Sequence, residues 1–290
     1  MEDSSRLHVR HVGVVEDNPF YTKLKVETEI LNARMSIVIM VSHVRNEIRV
    51  IPEIRWYGAL HLQARLHLGM GDKTDRIYYA TPDAIAEKGK TMSELKIYAP
   101  DEVCDEIYER YREVRGWYAI EENTGGISVA TDAGCFDFAG TAVDAILFKN
   151  VYSCGDLDYV PANEGTLRWE FVIRSYTGTW EEAETWRENW ELRRPVMAVQ
   201  SKGNPSKPKV FLKGLTGGRI ETLKPACDMP QKFILRMIGS KAKTEILSPV
   251  LPEGWQIEGE GNLLEEKQTD LLNPLKPWEI KTVLISSNGQ

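Results

Sequence analysis

Apolar and polar residues alternate with a period of two along much of this 290-residue chain. Alternating or β-branched segments lie at Lys23–Ile30, Met35–Val44, Glu47–Trp56, Leu60–Leu68, Ile127–Ala130, Asp144–Val151 and Leu167–Tyr176. A period of two places successive side chains on opposite faces of a strand, so each segment predicts a strand with one buried face. Since no long helix separates these segments, the pattern predicts an all-β fold of antiparallel sheets packed face to face.

Two short segments have helical rather than strand spacing. The first begins at Asp101, a suitable N-cap, and continues as EVCDEIYERYREV with an apolar residue at every fourth position. The second, Thr179–Leu192, begins with Thr179 and has Glu182 three residues later, a pattern in which each side chain caps the other residue's backbone N–H. A further segment, Pro82–Lys88, is compatible with a helix or a loop.

The second helix has a predicted packing side. Ala183, Trp186 and Trp190 share one side, and Glu181, Glu184 and Glu188 share the other. We expect the apolar side to hold one sheet against the next and the acidic side to face water. Trp180, Trp186 and Trp190 are more typical of packing than of a carbohydrate-binding platform.

A Pro-, Gly-, Ser- and Lys-rich stretch, Ser201–Pro208, is the best candidate for a domain boundary. Short strand-like segments follow it at Val210–Leu212, Lys232–Met237, Lys243–Ile246 and Ile280–Ile285. Their length and the turn residues between them are typical of a small sandwich. We therefore expect a first domain over residues 1–200 and a smaller β-sandwich over residues 201–290.

The composition excludes several classes of function. Acidic residues outnumber basic ones by 43 to 36, so non-specific binding to nucleic acid or to an anionic membrane surface is not expected. No apolar run approaches the roughly 18 residues that cross a bilayer, and the N-terminus MEDSSRLHVRHV lacks the apolar core of a secretory signal. The four cysteines are widely spaced, which favours reduced thiols in a cytoplasmic protein.

Several short motifs resemble, in order and spacing, those of glycoside hydrolase family 38, the retaining α-mannosidases. Thr179–Gln200 (TWEEAETWRENWELRRPVMAVQ) follows the run LRWEFVIRSYTG, and LKPWEIKT follows GNLLEE near the end of the chain. These segments are similar to the family's "G-x-W-x-E-A" and "N-L-L-E…P-(F/W)-E-I-K-T" motifs. Asn163-Glu164-Gly165 is similar to its "D-E-G-x-H-x-F" strand entry, except that Leu167 replaces the histidine. The similarity touches most of residues 25–285.

The resemblance implies a mutarotase-like β-supersandwich followed by a smaller β-sandwich, with one or two short helices, as in the C-terminal, non-catalytic part of that family. The family's zinc site, which includes an H-x-D pair, and its nucleophilic carboxylate lie in an N-terminal domain. This chain contains no H-x-D, and its five histidines all precede residue 68 without the spacing of a zinc ligand set. We therefore expect no catalytic residue, metal ligand or cofactor here, and zinc only in a partner chain.

The segment between Lys149 and Glu164 is the candidate carbohydrate-binding region. The resemblance places it at the rim of the family's active site, and it combines aromatic rings with carboxylates, which stack on and hydrogen-bond to sugars. The candidate rim residues are Lys149, Tyr152, Asp156, Asp158, Tyr159 and Glu164. The pair Asp156 and Asp158 could also hold a metal, although the glycines and proline around it favour a polar turn.

Three functions remain open from the sequence. The first is an accessory chain, which docks through an exposed apolar patch onto a separately encoded α-mannosidase catalytic chain and completes a rim that binds a mannose-containing glycan. The second is a stand-alone carbohydrate-binding module. The third is a mutarotase-like enzyme with a histidine acid and a carboxylate base, for which the sequence offers His61 or His67 with Glu164. Strand histidines on a polar face are the simpler interpretation of His61 and His67.

Overall fold

The computed structural model describes residues 8–30, 33–57, 62–69, 76–81, 84–88, 111–138, 142–150, 164–194, 197, 200, 218–227, 229, 231–239 and 250–287. The chain divides into two compact units, residues 1–197 and 198–290. All strand pairs in the described residues are antiparallel, which confirms the predicted all-β fold. No helix among these residues is both long enough and apolar enough to cross a membrane.

Unit 1 contains a large sheet and a small sheet. The strands of the large sheet are β1 (His8–Asp17), β2 (Tyr21–Ile30), β3 (Ala33–Ser42), β4 (Glu47–Tyr57), β6 (Arg76–Ala80), β7 (Ile85–Glu87), β9 (Trp117–Glu122), β10 (Gly125–Thr131), β13 (Glu164–Arg168) and β14 (Phe171–Thr177). Their order is β1-β2-β3-β4-β14-β10-β9-β6-β7, and β13 also pairs with β4. The strands of the small sheet are β5 (Leu62–Gly69), β8 (Tyr111–Glu113), β11 (Cys135–Asp137) and β12 (Ala142–Asn150), in the order β5-β12-β11-β8.

The core of unit 1 lies between these two sheets. Phe136 and Phe148 of the small sheet are buried against the large sheet, with ring centroids 5.2 Å from Tyr118 and 4.9 Å from Trp56 respectively. Every second residue of a strand, such as Ile54 and Trp56 in β4, contributes to this core. The alternation in the sequence is therefore the alternation between this core and the outer faces.

The predicted strand Leu167–Tyr176 is two strands in the structure. β13 pairs with the last part of β4 and β14 pairs with the first part, so the ladder is interrupted at Trp169 and Glu170. The cause lies in β4, because Pro52 has no N–H to donate to a neighbouring strand. Its carbonyl oxygen still accepts a hydrogen bond from Trp169 N, at 3.1 Å.

Several strands of unit 1 have no counterpart in the sequence prediction, namely β1, β6, β7, β8, β9 and β11. β1 is exposed along nearly its whole length, so it lacks the apolar-in, polar-out pattern of a half-buried strand. β7 lies within Pro82–Lys88, so the helix-or-loop interpretation of that segment is wrong at residues 85–87.

The predicted second helix is shorter in the structure, where α1 spans Arg187–Arg193. The predicted capping pair does form: Glu182 N donates to Thr179 Oγ1 at 3.2 Å, and Thr179 N donates to Glu182 Oε2 at 3.0 Å. One turn follows, closed by a bond from Ala183 N to Thr179 O at 3.0 Å. Glu184 then has a φ of +50°, which an α-helix does not allow, so α1 begins three residues later.

The predicted packing side of this helix is also wrong. Ala183 is exposed, and α1 packs against β10 on the outer face of the large sheet, not between two sheets. Trp180 is buried, with its ring centroid 5.7 Å from Trp117 and 5.6 Å from Tyr78. Trp180 is therefore a packing residue, as predicted, and residues 179–194 cover part of the outer face.

The described part of unit 2 contains one sheet. Its strands are β15 (Gly218–Pro225), β16 (Lys232–Gly239), β17 (Trp255–Gly261), β18 (Lys267–Thr269) and β19 (Ile280–Ser287), in the order β15-β16-β19-β17-β18. The strands predicted at Lys232–Met237 and Ile280–Ile285 are confirmed as β16 and β19, whereas β15, β17 and β18 have no counterpart in the sequence prediction. The strands predicted at Val210–Leu212 and Lys243–Ile246 lie outside the described residues, as does most of the predicted helix after Asp101. Its described end, Tyr111–Glu113, is strand β8, so the helix prediction is wrong there.

The GNLLEE and LKPWEIKT motifs form turns of unit 2. In the first, Asn262 Oδ1 accepts hydrogen bonds from Leu264 N at 2.9 Å and Glu266 N at 3.0 Å. In the second, the chain passes so close to Gly239 that a Cβ there would lie 2.1 Å from Lys276 O. Both motifs therefore fix the course of the backbone.

Phe136 provides a direct test of the inter-sheet core. We expect Phe136→Ala to lower the free energy of unfolding by about 3–5 kcal/mol, because it removes a fully buried ring between the two sheets. Phe20→Ala is the matched control, because Phe20 is exposed and its removal should change stability by less than about 0.5 kcal/mol. Urea unfolding of the two variants measures both values, and equal losses would contradict the assignment of the core.

Candidate functional site

The structure describes two of the six predicted rim residues. Lys149 is exposed near the end of β12 in the small sheet, and Glu164 is exposed at the start of β13 in the large sheet. Tyr152, Asp156, Asp158 and Tyr159 lie outside the described residues. Residues 151–163 therefore connect the two sheets of unit 1, and the rim assignment stays a prediction.

Lys149 lies close to a free thiol. Burial raises the pKa of Cys135, and the nearby positive charge of Lys149 partly offsets that rise. Cys135 lies on the neighbouring strand β11 and forms no disulfide. Strands β11 and β12 therefore bring a thiol and an ammonium group close together.

A row of polar side chains crosses the outer face of the small sheet. The strand register places His67 opposite Asp144, Asp144 opposite Asp137, and Asp137 opposite Tyr111. The neighbouring core residues, including Val143, point to the other face. Four strands thus bring four hydrogen-bonding side chains into one line.

Arg65 joins this row from the same face of β5. Its Nη1 lies 2.6 Å from Asp137 Oδ2 and 3.3 Å from Asp144 Oδ2, and its Nη2 lies 3.4 Å from the Tyr111 hydroxyl. Burial alone would lower the pKa of Arg65, but its hydrogen bonds to Tyr111, Asp137 and Asp144 raise the pKa above its usual value. The guanidinium compensates Asp137, which is fully buried.

His67 is the most accessible member of the row, with 66% of its side chain exposed. Its Nδ1 lies 2.6 Å from Asp144 Oδ1, so Nδ1 carries a proton and Nε2 is directed away from that carboxylate. Such a carboxylate–histidine pair can exchange a proton or hydrogen-bond to a hydroxyl group at Nε2. The predicted pairing of His67 with Glu164 is wrong, because the two lie in different sheets and Asp144 is the bonded carboxylate. His61 lies outside the described residues.

The sequence did not indicate this row. It predicts β5 and β12 as strands, but nothing in the spacing of His67, Asp144, Asp137 and Arg65 specifies which strands pair or in which register. Within the described residues, no group of three or more His, Cys, Asp or Glu side chains is arranged to hold a metal ion.

A second polar cluster lies beneath α1 on the outer face of the large sheet. Glu47, Arg174 and Ser128 are neighbours across β4, β14 and β10. Arg174 bonds to Glu47 Oε2 at 2.6 and 2.9 Å, and its Nη1 lies 3.7 Å from Glu188 Oε1 of α1. The Ser128 hydroxyl donates to Glu188 Oε2. These contacts hold α1 on the sheet.

Glu188 does not face water, contrary to the sequence prediction. Burial raises its pKa to about 7, although the hydrogen bond from Ser128 and the charge of Arg174 both lower it. Glu47, in contrast, has a lowered pKa: burial would raise it, but hydrogen bonds from Arg49 and Arg174 outweigh that effect. The two carboxylates share one arginine, and Glu47 has the shorter contact.

The inner face of the large sheet continues as an apolar surface across β3, β2 and β1. The register forms two rows, Val12–Val26–Ile37–Pro52 and Val14–Leu24–Ile39–Val50. The opposite face of β2 has the charged residues Lys23, Lys25, Glu27 and Glu29. Val12 and Val14, on the outermost strand, are 61% and 60% exposed. This surface, called here the apolar extension, is the kind of patch that marks a docking site.

The chain has the fold of part of two larger proteins. A protein in glycosyl hydrolase family 38 from Enterococcus faecalis matches it with a TM-score of 0.74 and 12% identity, over 97% of this chain and 36% of that chain. An α-mannosidase from Enterococcus faecalis V583 matches with a TM-score of 0.75 and 12% identity, over 96% of this chain and 35% of that chain. The chain thus spans about a third of the length of these proteins. The predicted resemblance is confirmed at the level of the fold.

A candidate aldose 1-epimerase from Escherichia coli K12 matches less well, with a TM-score of 0.33 and 14% identity over 58% of this chain and 69% of that chain. This similarity is too low to support the mutarotase-like assignment, which stays a prediction. No protein-family profile matches the sequence, and no curated protein is similar to it at a significant level.

Glu188 makes the stability of unit 1 dependent on pH. Its pKa is about 7 in the folded protein against 4.5 for an ordinary glutamate, so the folded state retains a proton that the unfolded state releases between these values. Stability should fall on the order of 3 kcal/mol as pH rises through this window. Glu188→Gln, which stays neutral, should not show this loss.

The measurement is urea unfolding of both proteins at about pH 4 and about pH 8, which bracket the two pKa values. Glu191→Gln is the control, because the Glu191 side chain is 58% exposed on the same helix. Glu188→Gln should be more stable than the parent protein at the higher pH, and Glu191→Gln should follow the parent. A parallel pH dependence in all three proteins would contradict the assignment.

Proposed function

We propose that this chain is the accessory, non-catalytic part of an α-mannosidase-type glycoside hydrolase. It binds a separately encoded catalytic chain and completes the rim around a mannose-containing glycan. Zinc and the nucleophilic carboxylate belong to that partner, and this chain contributes no catalytic residue or metal ligand. The observation that carries the proposal is the match of nearly the whole chain to about a third of two proteins, of which one is described as a family 38 protein and the other as an α-mannosidase.

The apolar extension supports a docking role. Its rows on β1–β3 continue directly from the core residues of β4, so they have the composition of an interior face. In the part of unit 1 that the structure describes, a sheet of four strands opposes a sheet of ten, and Val41 and Ile48 at the end of this face remain 36% and 41% exposed. A face with the apolar composition of a protein interior is suited to a permanent interface with a partner chain that buries it. We assign the catalytic chain to this face.

Lys149 and Glu164 support the glycan-binding role. They flank residues 151–163, and each is exposed at the end of a different sheet, so they could contact a ligand from two sides. An ammonium and a carboxylate both form charge-assisted hydrogen bonds to sugar hydroxyls. Tyr152, Asp156, Asp158 and Tyr159 complete the proposed rim.

A stand-alone sugar-binding module is a second candidate, favoured by the polar row of the small sheet. Arg65 and Asp144 orient His67 with its Nε2 accessible, and planar groups of this kind can hydrogen-bond to paired sugar hydroxyls. Calorimetry of the isolated chain with methyl α-mannoside distinguishes the two roles. Saturable binding that His67→Ala abolishes would favour the stand-alone module, whereas binding that requires the catalytic chain favours the accessory role.

The docking assignment predicts the effect of a charge placed next to the apolar extension, on the same face of the large sheet. Val41→Lys and Ile48→Lys, which are opposite each other on β3 and β4, should each weaken binding to an α-mannosidase catalytic chain from the same genome by at least about tenfold, because a lysine would be desolvated in an apolar contact. Surface plasmon resonance with the immobilised catalytic chain measures the change. Ser36→Lys, on the opposite face of β3, is the control and should bind normally.

The rim assignment predicts the effect on hydrolysis. Adding this chain to the catalytic chain should increase hydrolysis of p-nitrophenyl α-mannoside, while the chain alone should be inactive. Lys149→Ala and Glu164→Gln should raise KM without preventing formation of the complex, because both residues are exposed and are not part of the apolar extension. Failure of the two chains to bind, or hydrolysis by the purified chain alone that its own point variants abolish, would refute the proposal.

A further inference from the structure

We propose that β1 pairs with β1 of a second copy of this chain, in antiparallel orientation, to form one continuous sheet through a two-fold dimer. This pairing uses the hydrogen-bonding edge of the large sheet. The inference does not depend on the proposed function, because the apolar extension is a face of the sheet and the edge lies in its plane. Both surfaces can therefore be occupied at once.

The edge of β1 is long and open. β1 is ten residues long and ends the strand order of the large sheet, and within the described residues no strand pairs with its outer side. Proteins usually protect such an edge with a proline, a very short strand, charged side chains, bulges or a cover. β1 has no proline, and between its two bulges, at Arg10 and Val15, the residues from His11 to Val14 keep a regular register. An open edge of this length is a template for another strand.

The charges along β1 identify a second copy as the strand that fits. The first half of the strand has the positive charge of Arg10, and the second half has the negative charges of Glu16 and Asp17. Antiparallel pairing of two identical strands places the basic half of each against the acidic half of the other. Parallel pairing would place like charges together, which is destabilising. The strand is thus complementary to itself in one orientation.

The apolar residues agree with the same pairing. When two copies pair about Gly13, Arg10 of one copy faces Glu16 of the other, and Val12 faces Val14. Val12 and Val14 share the inner face, so the two apolar rows of one copy continue into those of the other. Each cross-strand valine pair adds roughly 0.2–1 kcal/mol to the backbone hydrogen bonds. A two-fold interface repeats each of these contacts.

The test uses two charge-reversal variants whose mixture restores the opposite-charge pairs of the dimer. Arg10→Glu places two acidic residues together at both ends of the dimer, and Glu16→Arg places two basic residues together. Each variant alone should dimerise at least about tenfold more weakly than the parent protein. In an equimolar mixture, the glutamate of one variant faces the arginine of the other at both ends, so the heterodimer should form with parent-like affinity. Because neither variant changes its own fold on mixing, recovery cannot come from refolding.

Sedimentation equilibrium measures the mass of each sample. At a concentration on the order of 100 µM, which suits an interface of small area, the parent protein should approach twice its 33.0 kDa mass. Lys25→Glu, a charge reversal on β2 away from the edge, is the control and should dimerise normally. A monomeric parent protein, or no recovery in the mixture, would overturn the proposal. So would a catalytic chain whose binding depends on Arg10 and Glu16, because it would assign the edge to that chain.

Discussion

The structure of unit 1 depends on an unequal pairing of layers. Within the described residues, one sheet has ten strands and the other has four, so the small sheet buries only part of the apolar face that the large sheet presents. Where the two oppose each other, rings such as Phe136 and Tyr118 are excluded from water, and their burial stabilises unit 1. Where they do not, the same apolar rows reach β1 and become surface. The core and the proposed docking face are therefore two parts of one continuous sheet face, of which the first is buried by the small sheet and the second is exposed.

The outer face of the large sheet is covered by different means. Residues 179–194 lie on it and are held by the buried ring of Trp180 together with polar contacts. Glu121, which is buried, accepts a hydrogen bond from Trp180 N at 2.8 Å, and Ser128 binds Glu188 beneath α1. Buried polar groups of this kind specify position, because leaving one unpaired costs about 1–3 kcal/mol. These contacts therefore fix the position of residues 179–194 on the sheet, although the helix is short.

The fold could be predicted from the sequence to a large extent, and the polar sites could not. Period-two alternation and β-branched runs predicted about half of the described strands, and the capping pair Thr179 and Glu182 was correct because it is local. Glu188 was misassigned because helical spacing assumes an uninterrupted helix, whereas Glu184 breaks it. The pairing of His67 with Asp144 depends on register between strands 77 residues apart, which no local pattern encodes. β1 was not predicted because apolar and polar residues alternate only in a strand that has one buried face, and β1 is exposed on both faces.

The division of one long strand at Pro52 has a consequence for local motion. β13 and β14 hold different halves of β4, and they share no uninterrupted ladder. Amide hydrogens of β13 can therefore exchange with solvent through an opening that leaves β14 closed. Because β13 directly follows residues 151–163, that opening would release one anchor of the proposed rim while the central strands keep their protection. Pro52 thus allows β13 to open locally while β14 stays paired with β4.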